Sequence, residues 1–338
     1  MSLSEEARPQ QAKTPARRRL DALRTPRRFS ADDLFETSST IFAAMIILII
    51  VVTSVLLIRG SIPVLQSFKT GFFTGTNWIS VAGSESYGVL PYVLGTLVTS
   101  AIAVAVGVPL SLGIAIFLAE MAPWSLRNAL SRVIELLAAV PSIIYGFWGL
   151  FVFRFWVRDY LEAPISSYVG AFPVFQGTPF GLDILTAGLI LAIMIIPTVS
   201  SISKDVMMAV PSSQREAAYS IGATRWEVVR TGVLGYARSG IFGAIILGLG
   251  RAVGETMAVT MVIGNASGPA ALPTSLFKQG ATMASVIANE FSEAEPGSLH
   301  LSALIGIGLT LFLSAIVINV FAQLMVWKVL KVRAGSVE

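Results

Sequence analysis

The chain contains no cysteine. Disulfide frameworks, thiolate metal sites and cysteine nucleophiles are therefore excluded, and thiol usage says nothing about the redox compartment. It has a single histidine, His300, so a clustered His/Cys metal centre is excluded too. Charge is also scarce. Asp, Glu, Lys and Arg make up 13% of the residues, about half the usual share of a soluble domain, while apolar residues reach 54%. No G-x-x-x-x-G-K-[ST] occurs, so P-loop hydrolysis of ATP does not reside on this chain. H-E-x-x-H and G-x-S-x-G are missing as well, which removes support for a zinc protease or a nucleophile-elbow hydrolase.

What is present is a set of long apolar runs, uncharged but for the one that holds Arg251 and Glu255. Each is long enough to cross the roughly 30 Å hydrocarbon core of a bilayer. The runs predict spans at 41–58, 89–118, 136–153, 184–203, 239–265 and 301–327. Prolines 91, 109, 141 and 197 bend three segments, and neighbouring helices must re-satisfy the freed backbone groups. The expected fold is an all-α polytopic membrane protein with six transmembrane helices. Residues 1–38 read as a basic tail, with Arg17, Arg18 and Arg19 in one cluster and Arg27 and Arg28 in another. Its poverty in apolar residues predicts disorder. It serves either as a topology determinant or as a contact for anionic lipid. The first helix takes 39–59, a loop rich in Gly, Ser and aromatics 60–88, and a core of five helices 89–330. That core holds a polar loop at 204–238, and a short tail at 331–338 closes the chain.

Lysine and arginine set the orientation. With both termini inside, the inner segments hold eighteen of the 24 basic residues and the outer ones five, and Arg251 lies within a span. That bias places the N-terminus, the C-terminus and the 204–238 loop in the cytoplasm.

The 204–238 loop carries helix-end chemistry. Ser213-Gln-Arg-Glu216 has capping-box spacing, and so does Thr224-Arg-Trp-Glu227. Gly222 lies between them, where a left-handed residue would end the first helix. The predicted unit is helix, glycine turn, helix, with an apolar edge of Ala218, Ile221 and Trp226. Such a turn suits insertion into a groove on another protein.

Glu216-Ala217-Ala218 followed by Gly222 resembles the EAA loop of ABC importer permeases. The family pattern closes with Ile-x-Leu-Pro, where this chain has Gly232-Val-Leu-Gly235. The segments 109–118, 140–153 and 250–259, with Val262-Ile-Gly-Asn265, resemble the C-type permease subunit of bacterial phosphate importers, and the likeness runs from about residue 40 to the C-terminus. The resemblance implies a type I, MetI-like permease architecture. It implies that Ser213, Glu216, Ala217, Ala218, Gly222 and Trp226 couple the chain to an ATPase. It further implies a related A-type permease subunit, two ATPase subunits carrying ATP and Mg, an external phosphate-binding protein, and phosphate as solute. No cofactor or metal on this chain, no catalytic residue and no nucleic-acid partner is expected. The membrane setting makes lipid its surrounding partner.

Arg251 falls near the middle of the fifth expected span, where an arginine costs about 2.5–3.5 kcal/mol on insertion scales. Glu255 follows four residues on, which on a continuous helix puts both charges on one face. Gly250 and Gly254 have small-xxx-small spacing, which predicts close helix packing beside the pair. Two roles are open. The pair lines or gates a path, where an arginine fork suits phosphate oxygens, or it is a buried structural ion pair. The resemblance associates these two residues with the transport pathway. Ser142 and Tyr145, beside Pro141, offer hydroxyls to a cavity or simply pack at a kink. Glu135 and Asp183 read as interface-level residues. A permease for another solute and a secondary transporter without an ATPase remain the alternatives.

Overall fold

A computed structural model describes residues 31–81 and 83–330. The expected tails, most of 1–38 and all of 331–338, therefore lie largely outside the described residues. The chain divides into a unit ending at Val55 and a second beginning at Leu56. In the first, residues 34–55 form an apolar part of helix α1 (Ala31–Phe68), with Ile41, Met45, Ile49 and Val52 all exposed. A helix apolar on every face is what a lipid environment requires.

All further description concerns the second unit. Helix α1 does not stop at 58 as the apolar run suggests but continues to Phe68. Val64 is buried, and Leu65 and Phe68 pack against the same core. Pro63 interrupts the backbone ladder here, and Ser302 repairs it. The Ser302 hydroxyl accepts from the Val64 N–H (3.2 Å) and donates to the Gly60 carbonyl (2.7 Å). A two-stranded hairpin follows, β1 (Trp78–Ile79) and β2 (Ser86–Tyr87), with Trp78 opposite Tyr87.

The centre is built from three long helices. Helix α2 (Leu90–Ile116) packs along α5 (Ile184–Met208), and α8 (Leu234–Gly254) packs on both. Lipid gives apolar helices no hydrophobic drive to associate, so small residues must bring the backbones together. A side chain at Gly188 would meet Ile102 at 2.6 Å, and one at Gly107 would meet Ile195 at 2.8 Å. Three apolar clusters follow one another along the bundle. Phe72, Tyr92 and Ile307 belong to the hairpin end, Ala103, Ile195 and Val262 to the middle, and Ala115, Met207 and Val233 to the opposite end.

Two expected spans are broken. The third, 136–153, has Pro141 inside it. Helix α3 (Trp124–Ala138) ends before that proline, and α4 (Ser142–Trp148) starts after it at 90°. The residue before a proline is driven out of the helical region, so the chain turns at Val140. From α4 the backbone stays helical, through π turns at 149–153 and 158–162, as far as Val169. Much of α3 comes from a stretch whose charge predicts a short hydrophilic connection. It is amphipathic, with Trp124, Val133 and Leu136 exposed, the pattern of a helix lying in a membrane interface. Among the described residues, five helices are long and apolar enough to span, and a sixth results if the bent pair is one crossing.

The fifth expected span, 239–265, begins earlier and breaks inside. Helices α6 (Ser212–Ser220) and α7 (Arg225–Glu227) precede it, then a π turn at 228–233 leads into α8. Helix α8 stops at Gly254, Glu255 is extended, and α9 (Met257–Val262) starts afresh. The 266–299 stretch, which lies between two of the expected spans and whose glutamates read as a polar loop, is largely folded. It pairs back through Gly264 and Gly280 and forms α10 (Met283–Glu290) before α11 (Leu299–Leu330). Phe277, Met283 and Val286 are buried, which its charged residues Glu290, Glu293 and Glu295 do not suggest.

Candidate functional site: a broken helix and a turn at the end of the bundle

The first group of candidate residues surrounds the break between α8 and α9. Arg251 lies in the last turn of α8 and is half-buried. Its Nη1 donates to Thr198 Oγ1 at 3.3 Å, across to α5. Thr198 follows Pro197, which lies inside α5. The Tyr145 ring packs into the central cluster, within electrostatic reach of Arg251. The Tyr145 hydroxyl donates to the Leu137 carbonyl (3.0 Å), tying α4 back to α3 across the proline bend. Ser142 opens α4 after Pro141 and is half-buried. Sequence reasoning misses Thr198, because nothing local marks its contact with a residue 53 positions away.

Glu255 does not pair with Arg251 here. An i, i+4 pair needs a continuous helix, and the helix ends between the two residues. Glu255 Oε1 instead accepts from the Ala258 N–H at 3.2 Å, covering one of the free donors at the start of α9. The expected close packing at Gly250 and Gly254 is also not made within this chain, since a side chain at either would meet no neighbouring atom. Gly248 makes the approach instead: a methyl group there would come within 2.5 Å of Val199. On the other side of the break, Gly146 of α4 lies against Ala258 and Met261 of α9. The break thus has backbone of α4 on one side and an open face, with Gly250 and Gly254, on another.

The second group forms the turn at the far end of the bundle. Helix α6 begins at Ser212 with Pro211 as its cap, so Ser213 sits inside the first turn and makes no capping box. A proline cap presets the entry backbone and shifts the start two residues upstream of the serine-based expectation. The Thr224–Glu227 capping box is present: Glu227 Oε2 accepts from the Thr224 N–H at 2.7 Å, and Glu227 N–H donates to Thr224 Oγ1 at 3.4 Å. Gly222 has φ +82°, the left-handed conformation that ends α6. Glu216, Ala217, Tyr219, Ile221 and Trp226 are exposed, whereas Ala218 turns partly inward towards Gly232. The exposed apolar edge therefore comprises Tyr219, Ile221 and Trp226.

A cavity of about 510 Å³ opens elsewhere, at the hairpin end, lined by Phe180, Leu182, Ala266, Phe277 and Lys278. Its lining includes neither Arg251 nor Glu255. No group of three or more metal-binding side chains occurs among the described residues.

A family model described as binding-protein-dependent transport system inner membrane component matches residues 111–330. The phosphate transport system permease protein PstC of Haemophilus influenzae is 44% identical over 301 residues, 88% of this chain and 93% of that protein. The protein of the same name from Mesorhizobium japonicum is 44% identical over 90% of this chain and 93% of its own. PstC 2 of Mycobacterium tuberculosis is 38% identical, covering 86% and 90%. In fold, the chain is similar to a bacterial ABC transporter involved in the import of the acidic polysaccharide alginate (TM-score 0.52, 17% identity, 88% of this chain and 99% of that one). The match spans both the broken helix and the exposed turn. The chain therefore belongs to the binding-protein-dependent transport system inner membrane components, as a permease subunit similar to the PstC proteins and not an enzyme.

Proposed function

We propose that this permease subunit carries inorganic phosphate across the cytoplasmic membrane by alternating access, driven by ATP hydrolysis on separate subunits. The observation that carries the reading is the interrupted span. Non-helical backbone at membrane depth is tolerated only where protein buries it or a polar path runs beside it. Here the interruption coincides with Arg251, Glu255, Thr198 and Tyr145 and has an open face along Gly250 and Gly254. An arginine that spends one N–H on a neutral hydroxyl keeps donors available, and its planar fork matches phosphate oxygens. Glu255 turns one carboxylate oxygen to the α9 backbone and forms no ion pair with Arg251. The identity to the PstC proteins supports phosphate over other solutes.

The open glycine face suits a second, related permease subunit of the A type, which would complete the path. The exposed Tyr219, Ile221 and Trp226 edge suits a groove on an ATPase subunit, two of which would carry ATP and Mg. An external phosphate-binding protein would deliver solute at the hairpin end. This arrangement puts the turn and both termini in the cytoplasm, in agreement with the bias of lysine and arginine.

The test is uptake of radiolabelled phosphate by cells without their own high-affinity importer, supplied with this chain and its partner subunits. Arg251→Gln should abolish uptake, by at least about tenfold, while the complex still copurifies. Retained uptake would make Arg251 structural, and no uptake with the unaltered chain in an assembled complex would discard phosphate.

A further inference from the structure

Glu120 is the residue on which the far end of the bundle converges. It lies in the π turn Phe117–Met121 that closes α2. Its carboxylate receives Arg215 of α6 twice, from Nη2 to Oε1 at 2.8 Å and from Nε to Oε2 at 3.4 Å. Its backbone carbonyl receives Nη2 of Arg225 in α7. Both helices of the exposed turn are thus fastened to one residue at the end of α2. Arg215 does more. Its Nη1 donates to the Val210 carbonyl at 2.6 Å and its Nη2 to the Met207 carbonyl at 2.9 Å. These belong to the last turn and exit of α5, so one guanidinium joins α2, α5 and α6.

The burial is selective. The outer face of α6 is exposed at Glu216, Ala217 and Tyr219, yet the Glu120 and Arg215 side chains are only 11% and 23% exposed. Beneath them Ala115, Ala119, Met207, Val210 and Val233 form an apolar floor. A bidentate arginine–carboxylate pair in such a place is directional and rigid. Two π turns adjoin the joint: 117–121, which carries Glu120, and 228–233, which follows α7 and packs against α6. Such turns shift the register of a helix and recur at functional sites. Further along α5, Thr198 holds Arg251. Met207 and Thr198 lie nine residues apart on one helix, about 14 Å at 1.5 Å per residue.

We propose that Glu120, Arg215 and Arg225 form the joint that transmits movement of the exposed turn to α2 and α5, and through α5 to the Arg251 region. They are positioning residues that act on the path without touching solute. The inference rests on the reading of α6–α7 as the ATPase-docking element. Loss of the joint leaves the turn docked but slack, so ATP is spent without moving the span. Arg215 is coupled to Glu120 by the fork, not by charge alone, which lysine would reproduce only in part.

The experiment uses the intact complex in proteoliposomes, with phosphate import and ATP hydrolysis measured on the same sample. Glu120→Gln and Arg215→Lys should each keep copurifying ATPase and a hydrolysis rate within about twofold, and lower phosphate imported per ATP by about tenfold or more. The double variant should do no further damage than the worse single, because both remove one interaction. Glu120→Asp, which keeps the charge, should recover at least about half of the ratio. An unchanged ratio in both singles, a parallel fall of import and hydrolysis, or additive losses would overturn the proposal. Ile221→Asp serves to separate the two readings. It should lose the copurifying ATPase, and an Ile221→Asp complex that assembles and transports normally would overturn the docking reading itself.

Discussion

Asp183 and Glu162 bring two carboxyl groups together with both residues fully buried. Asp183 lies just outside a span and caps α5, accepting from the Thr186 N–H at 2.8 Å. Glu162 accepts from the Gly181 N–H at 3.0 Å and from the Thr186 hydroxyl at 3.4 Å. Burial, and then the neighbouring Glu162, pushes the Asp183 carboxyl well above its ordinary value. The folded state therefore favours the protonated acid. This stabilisation is complete at acid pH, below the ordinary aspartate value, and is lost as pH rises through the raised one. Asp183→Asn keeps the capping oxygen and mimics the neutral acid. It should flatten the pH dependence of thermal unfolding in detergent. At pH 8 it should raise stability by about 1.4 kcal/mol or more, the worth of one pH unit. An unchanged slope between pH 5 and 8 would rule this out. At this scale the sequence was legible where the chemistry is local. Thr224, Gly222 and the lone intraspan Arg251 announce themselves within four or five residues. Glu120–Arg215 and Arg251–Thr198 do not, because their partners lie 95 and 53 positions apart and each half looks like an ordinary surface charge or span-filling threonine.

Among the elements, proline marks bends, but its consequence depends on what surrounds it. Pro109 and Pro197 stay inside helices where α2 and α5 pack together, and Ser111 links the two: it donates to the Gly107 carbonyl at 2.6 Å and approaches the Ile196 carbonyl of α5 at 3.4 Å. At Pro141 the chain instead turns by 90°, and Tyr145 reaches back to Leu137 across the corner. Hydropathy reads the 136–153 run as one span since both helices are apolar there, and it merges α8 and α9 for the same reason. The glycines of α8 make a separable prediction. Gly248→Ala drives a methyl to 2.5 Å from Val199, so the chain should unfold more easily by about 1–3 kcal/mol, measured by thermal unfolding of the purified subunit. Gly250→Ala adds a methyl that meets no atom of this chain within 4 Å and should leave that transition in place. It should instead reduce copurification of the second permease subunit. Equal effects of both substitutions on the isolated chain would contradict the open-face assignment.

For the whole molecule, the absence of cysteine becomes an experimental advantage, because any introduced thiol is the sole one. Ile221→Cys, at an 85% exposed position on the turn, should react with an impermeant maleimide only after the cells are opened. Ser84→Cys, in the hairpin, should react from outside intact cells. The reverse pattern would invert the assigned orientation. All-α architecture and the crossing segments could be read from composition and run length, since bilayer thickness fixes both. The folded 264–299 segment could not, because its burial comes from α10 and Phe277 packing into the rest of the chain, not from its own hydropathy. The π turn at 117–121 has a further consequence for comparing relatives. A π turn is formally one residue inserted into an α-helix, and every position beyond it is rotated by about 100° relative to an uninterrupted helix. A one-residue gap at 117–121 in an alignment would therefore be a change of phase and not of loop length. In a relative with that gap ahead of Glu120, the aligned residue would be turned by about 100° from the face that meets Arg215, whatever its identity.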